Sequence, residues 1–87
     1  MAHAIHWTTS AERDAKGLKN LRESDRAAIR EAIAAIAEEP RGHGCEKLKG
    51  DQGYRVRAGN YRIIYDIDDA EPGVTILAIG DRRDVYR

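Results

Sequence analysis

The 87-residue chain has fifteen basic and fifteen acidic side chains and is 41% apolar, enough for one small core and too little for two domains. No apolar run approaches the roughly 20 residues of a membrane span, a lone Cys45 has no internal disulfide partner, and MAHAIHW lacks the basic start and apolar core of a signal peptide, so the cytoplasm is the expected compartment. The zero net charge hides segregation: residues 1–40 carry six basic and seven acidic groups, 41–65 six and two, 66–81 none and five, and 82–87 three and one. A basic middle and a basic end point to a polyanion more clearly than the whole-chain charge does.

Residues 3–7, HAIHW, can form a short strand. Thr9 and Glu12 have the spacing of a capping box, which predicts the start of a first helix whose stripe is Ala11, Ala15, Leu18 and Leu21, with Arg13, Lys16 and Lys19 facing away. After a break at Arg22-Glu23, Ser24 or Asp25 starts a second helix that buries Ile29, Ile33 and Ile36 with Ala28, Ala32 and Ala35, and Pro40 ends it. So short a break implies an antiparallel helical hairpin, which needs a sheet to cover its apolar side.

Residues 41–53, RGHGCEKLKGDQG, read as a loop anchored by Leu48. Next comes YRVRAGNYRIIY, residues 54–65, where apolar and cationic residues sort by parity on either side of Gly59-Asn60, a dipeptide suited to a tight hairpin turn. A two-residue loop pairs Ala58 with Tyr61, Arg57 with Arg62, Val56 with Ile63, Arg55 with Ile64 and Tyr54 with Tyr65. One face then holds Tyr54, Val56, Ala58, Tyr61, Ile63, Tyr65 and Ile67 as core, and the other Arg55, Arg57 and Arg62 with Ile64 and Asp66. Like charges directly across a hairpin are destabilising, so Arg57 opposite Arg62 implies an anionic partner, and phosphate oxygens match the guanidinium fork. An acidic turn at 68–73 leads to VTILAI, residues 74–79, a strand apolar on both faces, and the chain ends in GDRRDVYR. The expected fold is α+β: one domain over 1–87 in the order β-α-α-β-β-β, with a two-helix hairpin on a mainly antiparallel twisted sheet.

This order, with KLKG at 47–50, the hairpin and the closing GDRRDVYR, resembles the RelE/ParE superfamily of bacterial toxins, and within it the RelE type. The resemblance implies a toxin of a type II toxin–antitoxin pair, held inactive by a cognate antitoxin, that enters the ribosomal A site and cuts mRNA without a metal or other cofactor. It also implies catalytic roles for Arg55, Arg57, Arg62, Arg82 and Tyr86; Lys47, Lys49 and Arg83 are candidate RNA contacts, with ordinary solvated lysines of a polar loop as the equal alternative for Lys47 and Lys49. Members of the RelE type often have lysine where this chain has Arg55 and Arg57. Arginine stays protonated, so neither residue can be the general base. At Asp81, where relatives often have histidine or lysine, the carboxylate either supplies a base or pairs with Arg82 or Arg83.

The plainer reading of the arginine face is a solvated surface with Asp66 as partner. His3, His6, His43 and Cys45 lack metal-ligand spacing, so no metal is expected. Two other functions suit the same fold: a ParE-like toxin that poisons DNA gyrase without nuclease activity, and a binding module that has lost catalysis.

Overall fold

The computed structural model describes residues 3–42, 44–48, 50, 53–70 and 73–81. The elements are β1 (Ala4–Trp7), α1 (Thr9–Gly17), a 3-10 turn (Leu18–Asn20), α2 (Glu23–Glu38), β2 (Glu46–Lys47), β3 (Tyr54–Ala58), β4 (Tyr61–Asp68) and β5 (Gly73–Asp81). They build a mixed five-stranded sheet in the order β1-β5-β4-β3-β2, antiparallel except that β1 runs parallel to β5. Both helices lie over the sheet, α1 on β5 and α2 across β3, β4 and β5, and their main contacts are with strands rather than with each other. Among the described residues no helix is long and apolar enough to cross a membrane.

The expected elements are present, with shifts that have local causes. Helix α1 is capped by Thr8, not Thr9: the Thr8 hydroxyl accepts from the Ala11 N–H at 3.0 Å and points its own proton at the Ile76 and Leu77 carbonyls, 3.3 and 3.2 Å away. Because the Thr8 N–H continues the β1 ladder onto Ile76, the chain is already fixed where the helix starts. Helix α2 begins at Glu23, before Ser24, with no side-chain cap on Arg22. A carboxylate in the first turn suits the positive end of the helix dipole, and Glu23 also bridges Arg26 at 2.6 Å and Arg30 at 2.9 Å. Ile29 and Ile36 are buried and Ile33 half-buried, whereas Ala35, expected inside, is exposed. The segment read wholly as loop contains β2, two residues that pair with Tyr54 and Arg55.

The hairpin has the expected register, all five pairs included. At its turn Gly59 has φ +63°, while Asn60 keeps a negative φ. These are the signs of a II′ turn, in which glycine stands first. Of the core face, Ala58, Ile63 and Tyr65 are buried, and Tyr54, Val56, Tyr61 and Ile67 pack partly buried against them.

Strand β5 departs from simple alternation. Tyr65 pairs with Ile76 but Ile64 with Ala78, so Leu77 is an extra residue in a bulge. The bulge keeps Val74, Ile76 and Ile79 all buried in one core. Past the Thr8 N–H, the Thr8 hydroxyl and Asp14, whose carboxylate accepts from the Ile79 N–H at 3.0 Å, take up β5 ladder groups on the β1 side.

Tyr65 joins these parts. Its side chain is fully buried, its ring stacks on Tyr54 at 5.9 Å, and its hydroxyl donates to the Pro40 carbonyl at 2.6 Å, tying the end of α2 to the central strand. Nearby, Gly53 has φ +86° and would place a Cβ 2.5 Å from the Tyr65 carbonyl oxygen, so only glycine lets the loop pass there.

Tyr65→Phe leaves the Pro40 carbonyl without its donor and should lower unfolding free energy by about 1–2 kcal/mol at neutral pH, read from the midpoint of a urea melt. Burial and then the neighbouring Cys45 push the Tyr65 phenol above the ordinary tyrosine value, so the folded state favours the protonated form. That stabilisation is complete below about pH 10, the unfolded value, and is lost as pH rises toward the folded one; above about pH 10 the wild type should therefore lose stability more steeply than Tyr65→Phe. Gly53→Ala, strained in both backbone angle and contact, should cost more than about 2 kcal/mol in the same melt.

Candidate functional site

Pairing across the sheet sets the candidate site out in two rows on the face away from the helices. Glu46, Arg55, Ile64 and Ala78 are in register along one row, and Arg57, Arg62 and Gly80 along the next. Paired residues project to the same side of a sheet, so the three hairpin arginines share a patch. Arg57 is exposed, Arg62 half-buried, and Ile64 between the flanking strands is only 8% exposed. An apolar floor under guanidiniums lowers the local dielectric and strengthens their pull on an anion. Since Gly80 has no side chain, β5 adds no bulk beside Arg62.

Arg55 is more enclosed than Arg57: its side chain is 12% exposed, and its guanidinium is ion-paired with the Glu46 carboxylate. The partner expected from sequence, Asp66, turns its carboxylate to the Ile67 N–H at 3.0 Å. Glu46 escaped the sequence reading because a two-residue strand has no alternation to detect. The available signal was its position in a stretch, 41–65, where it and Asp51 are the only acids.

The remaining candidates are dispersed. Lys47 pairs with Tyr54, which puts it on the helix-covered side, away from the arginines, with its Nζ 5.9 Å from the Tyr54 ring centre. There it joins Arg41, whose guanidinium lies 5.4 Å from the same ring and makes two hydrogen bonds of 2.9 and 3.0 Å to Asp69. The Arg41 guanidinium holds the Asp69 carboxyl below the usual carboxylate range. This cluster fastens the loop after α2 to the β4–β5 turn. Asp81 lies opposite Tyr61 and so also takes the helix side, because the bulge at Leu77 exchanges the faces of Gly80 and Asp81. Lys49, Arg82, Arg83 and Tyr86 lie outside the described residues.

What the described site offers chemically is a fixed array of cationic hydrogen-bond donors: it can hold phosphate oxygens and stabilise charge that builds on them, and its arginines cannot accept a proton. A family described as the ParE toxin of type II toxin–antitoxin systems, parDE, matches residues 5–86. Toxin RelG of Mycobacterium tuberculosis is 35% identical over 89 residues, an alignment spanning all of this chain and 99% of that protein. Among solved structures, the RelBE2 toxin–antitoxin complex of M. tuberculosis superposes with a TM-score of 0.73 at 30% identity, covering 94% of this chain and 100% of the other. The archaeal RelE–RelB complex of Pyrococcus horikoshii gives 0.76 at 23% identity, covering 98% and 100%, a likeness of fold. With the sheet order, the arginine face and these matches together, the chain belongs to the RelE/ParE superfamily of type II toxin–antitoxin toxins.

Proposed function

We propose that this toxin is a cytoplasmic, ribosome-dependent endoribonuclease that cuts mRNA in the A site and is silenced by a cognate antitoxin. The observation that carries the reading is the Arg57–Arg62 pair, set directly across the hairpin beside Arg55 on an apolar floor. Like charges set across a hairpin are unfavourable, and a phosphodiester bridging the two guanidiniums would offset that. In the reaction the ribose 2′-oxygen bonds to the adjacent phosphorus, the bond from phosphorus to the 5′-oxygen breaks, and the 2′-hydroxyl proton passes to a base. Charge accumulates on the non-bridging oxygens, where Arg57, Arg62 and Arg55 face it, with Arg82 joining them. Tyr86, in a role carried by the family resemblance, orients or deprotonates the 2′-hydroxyl. Lys49 and Arg83 contact RNA phosphates. Lys47, on the other face, would reach only RNA that wraps around the β2 edge. No step calls for a metal or cofactor.

The antitoxin assignment draws on family membership and on the likeness to two toxin–antitoxin complexes. One observation favours a second reading: the matching family is the ParE one, and a ParE-like toxin would act on DNA gyrase without cutting RNA. A catalytically silent binding module is the third reading.

Primer extension on mRNA held by ribosomes with an empty A site should show a cut within the A-site codon that depends on both ribosome and toxin. Arg62→Ala should slow it on the order of a hundredfold, by analogy with loss of one oxyanion donor, and Tyr86→Phe should cut below the wild-type rate. If folded wild-type protein leaves the message whole but traps gyrase-dependent DNA breaks, the ParE reading replaces this one. Neither effect would leave the binding module.

A further inference from the structure

The Glu46 carboxylate is ion-paired with Arg55 on the arginine face, and no part of the proposed reaction uses it. Strand pairing sets it directly opposite Arg55, so the contact follows from the backbone and not from a chance rotamer. The two ends of the ion pair differ sharply. The Arg55 side chain is 12% exposed and stays where the strand puts it, whereas the Glu46 side chain is 63% exposed and can return to water at little cost. A carboxylate and a phosphate present similar paired oxygens to the guanidinium fork. An anion seated on a largely enclosed cation, and easily released, occupies the place a nucleic-acid phosphate would take.

We propose that the Glu46 carboxylate is a built-in competitor for the phosphate seat on Arg55, which holds down the affinity of the arginine face for single-stranded RNA at large. RNA must displace Glu46 to engage Arg55, so a strand that offers only its backbone binds weakly, and productive binding needs contacts beyond the patch. The inference rests on the reading of this face as the RNA-binding one, and it concerns binding rather than cleavage.

The test is fluorescence anisotropy of a labelled, unstructured uridine-rich RNA, without ribosomes, titrated with full-length wild type, Glu46→Gln, Asp66→Asn, Arg55→Ala, Arg62→Ala and the Arg55→Ala/Glu46→Gln double variant. Circular dichroism melts confirm that each is folded. Glu46→Gln should bind about threefold more tightly at low salt, the range set by one exposed ion pair. The slope of log affinity against log salt should steepen by about 0.7, one more single-strand phosphate engaged. The gain should vanish in the Arg55→Ala background, and Asp66→Asn, which removes an equal charge from the same face, should give a smaller one. Unchanged or weaker binding by Glu46→Gln, or an equal gain from Asp66→Asn, overturns the proposal, the latter because it would show only the general field of the surface. If Arg62→Ala weakens binding while Glu46→Gln leaves it unchanged, the proposal alone fails. If Arg62→Ala binds like the wild type, this face is not the RNA contact and the proposal falls with that reading.

Discussion

The register of the β3–β4 hairpin is the constraint on which the rest of the molecule depends. A slip of one residue would send Tyr54, Val56, Ala58, Tyr61, Ile63 and Tyr65 to the solvent side and bring the arginines under the helices. Burial of Ile63 and Tyr65 beneath α2 makes that exchange prohibitive, at about 1.5–3 kcal/mol for each large side chain. Gly59 supplies the positive φ that closes the turn without an extra residue. The opposition of Arg57 to Arg62 is a consequence of this pairing: packing of one face dictates the charge arrangement on the other.

The second dependency runs through the loop between α2 and β3. Among the contacts that hold it are the Tyr65 hydroxyl on the Pro40 carbonyl, the Arg41 guanidinium on Asp69, and the Leu48 N–H on the Gly53 carbonyl at 2.8 Å. Together they hold the chain so that two residues can run as β2 along the start of β3, which is how Glu46 comes to face Arg55. The loop that looks least structured in the sequence therefore decides how much positive charge the face presents. The sheet uses its helix side for stability and its other side for charge, and β3 and β4 serve both, since alternate residues point to alternate faces.

Much of this could be read from the chain because it is recorded in local periodicity. The stripe of Ala11 and Ala15, which Leu18 and Leu21 continue past the end of α1, the isoleucines of α2 and the parity of residues 54–65 each follow a local period, and each element formed nearly where its pattern lies. Errors fell where a signal is short or shared. Thr8 and Thr9 are both able caps, and the choice went to the residue that also reaches the Ile76 and Leu77 carbonyls across the sheet. Ala35 continues the α2 pattern yet is exposed, because alanine fits either surface. At β2 the pairing partner is distant in sequence and the strand is too short to have a period.

The bulge at Leu77 draws the boundary between the two kinds of information. By itself the amino-acid sequence determined the elements other than β2, the hairpin register, the arginine face and the family, because propensity, alternation and turn chemistry act between residues close in the chain. Simple alternation along β5 from Val74 would place Asp81 with the arginines and Gly80 in the core. The tertiary structure reverses this: Ile76 and Ile79 must both reach the core beside Tyr65 and Ile63, and the strand takes up one extra residue to let them. That demand comes from packing between strands and helices, and it decided that Asp81 leaves the arginine face and that Gly80 leaves room beside Arg62, while the loop packing that lays β2 along β3 decided that Glu46 rather than Asp66 pairs with Arg55.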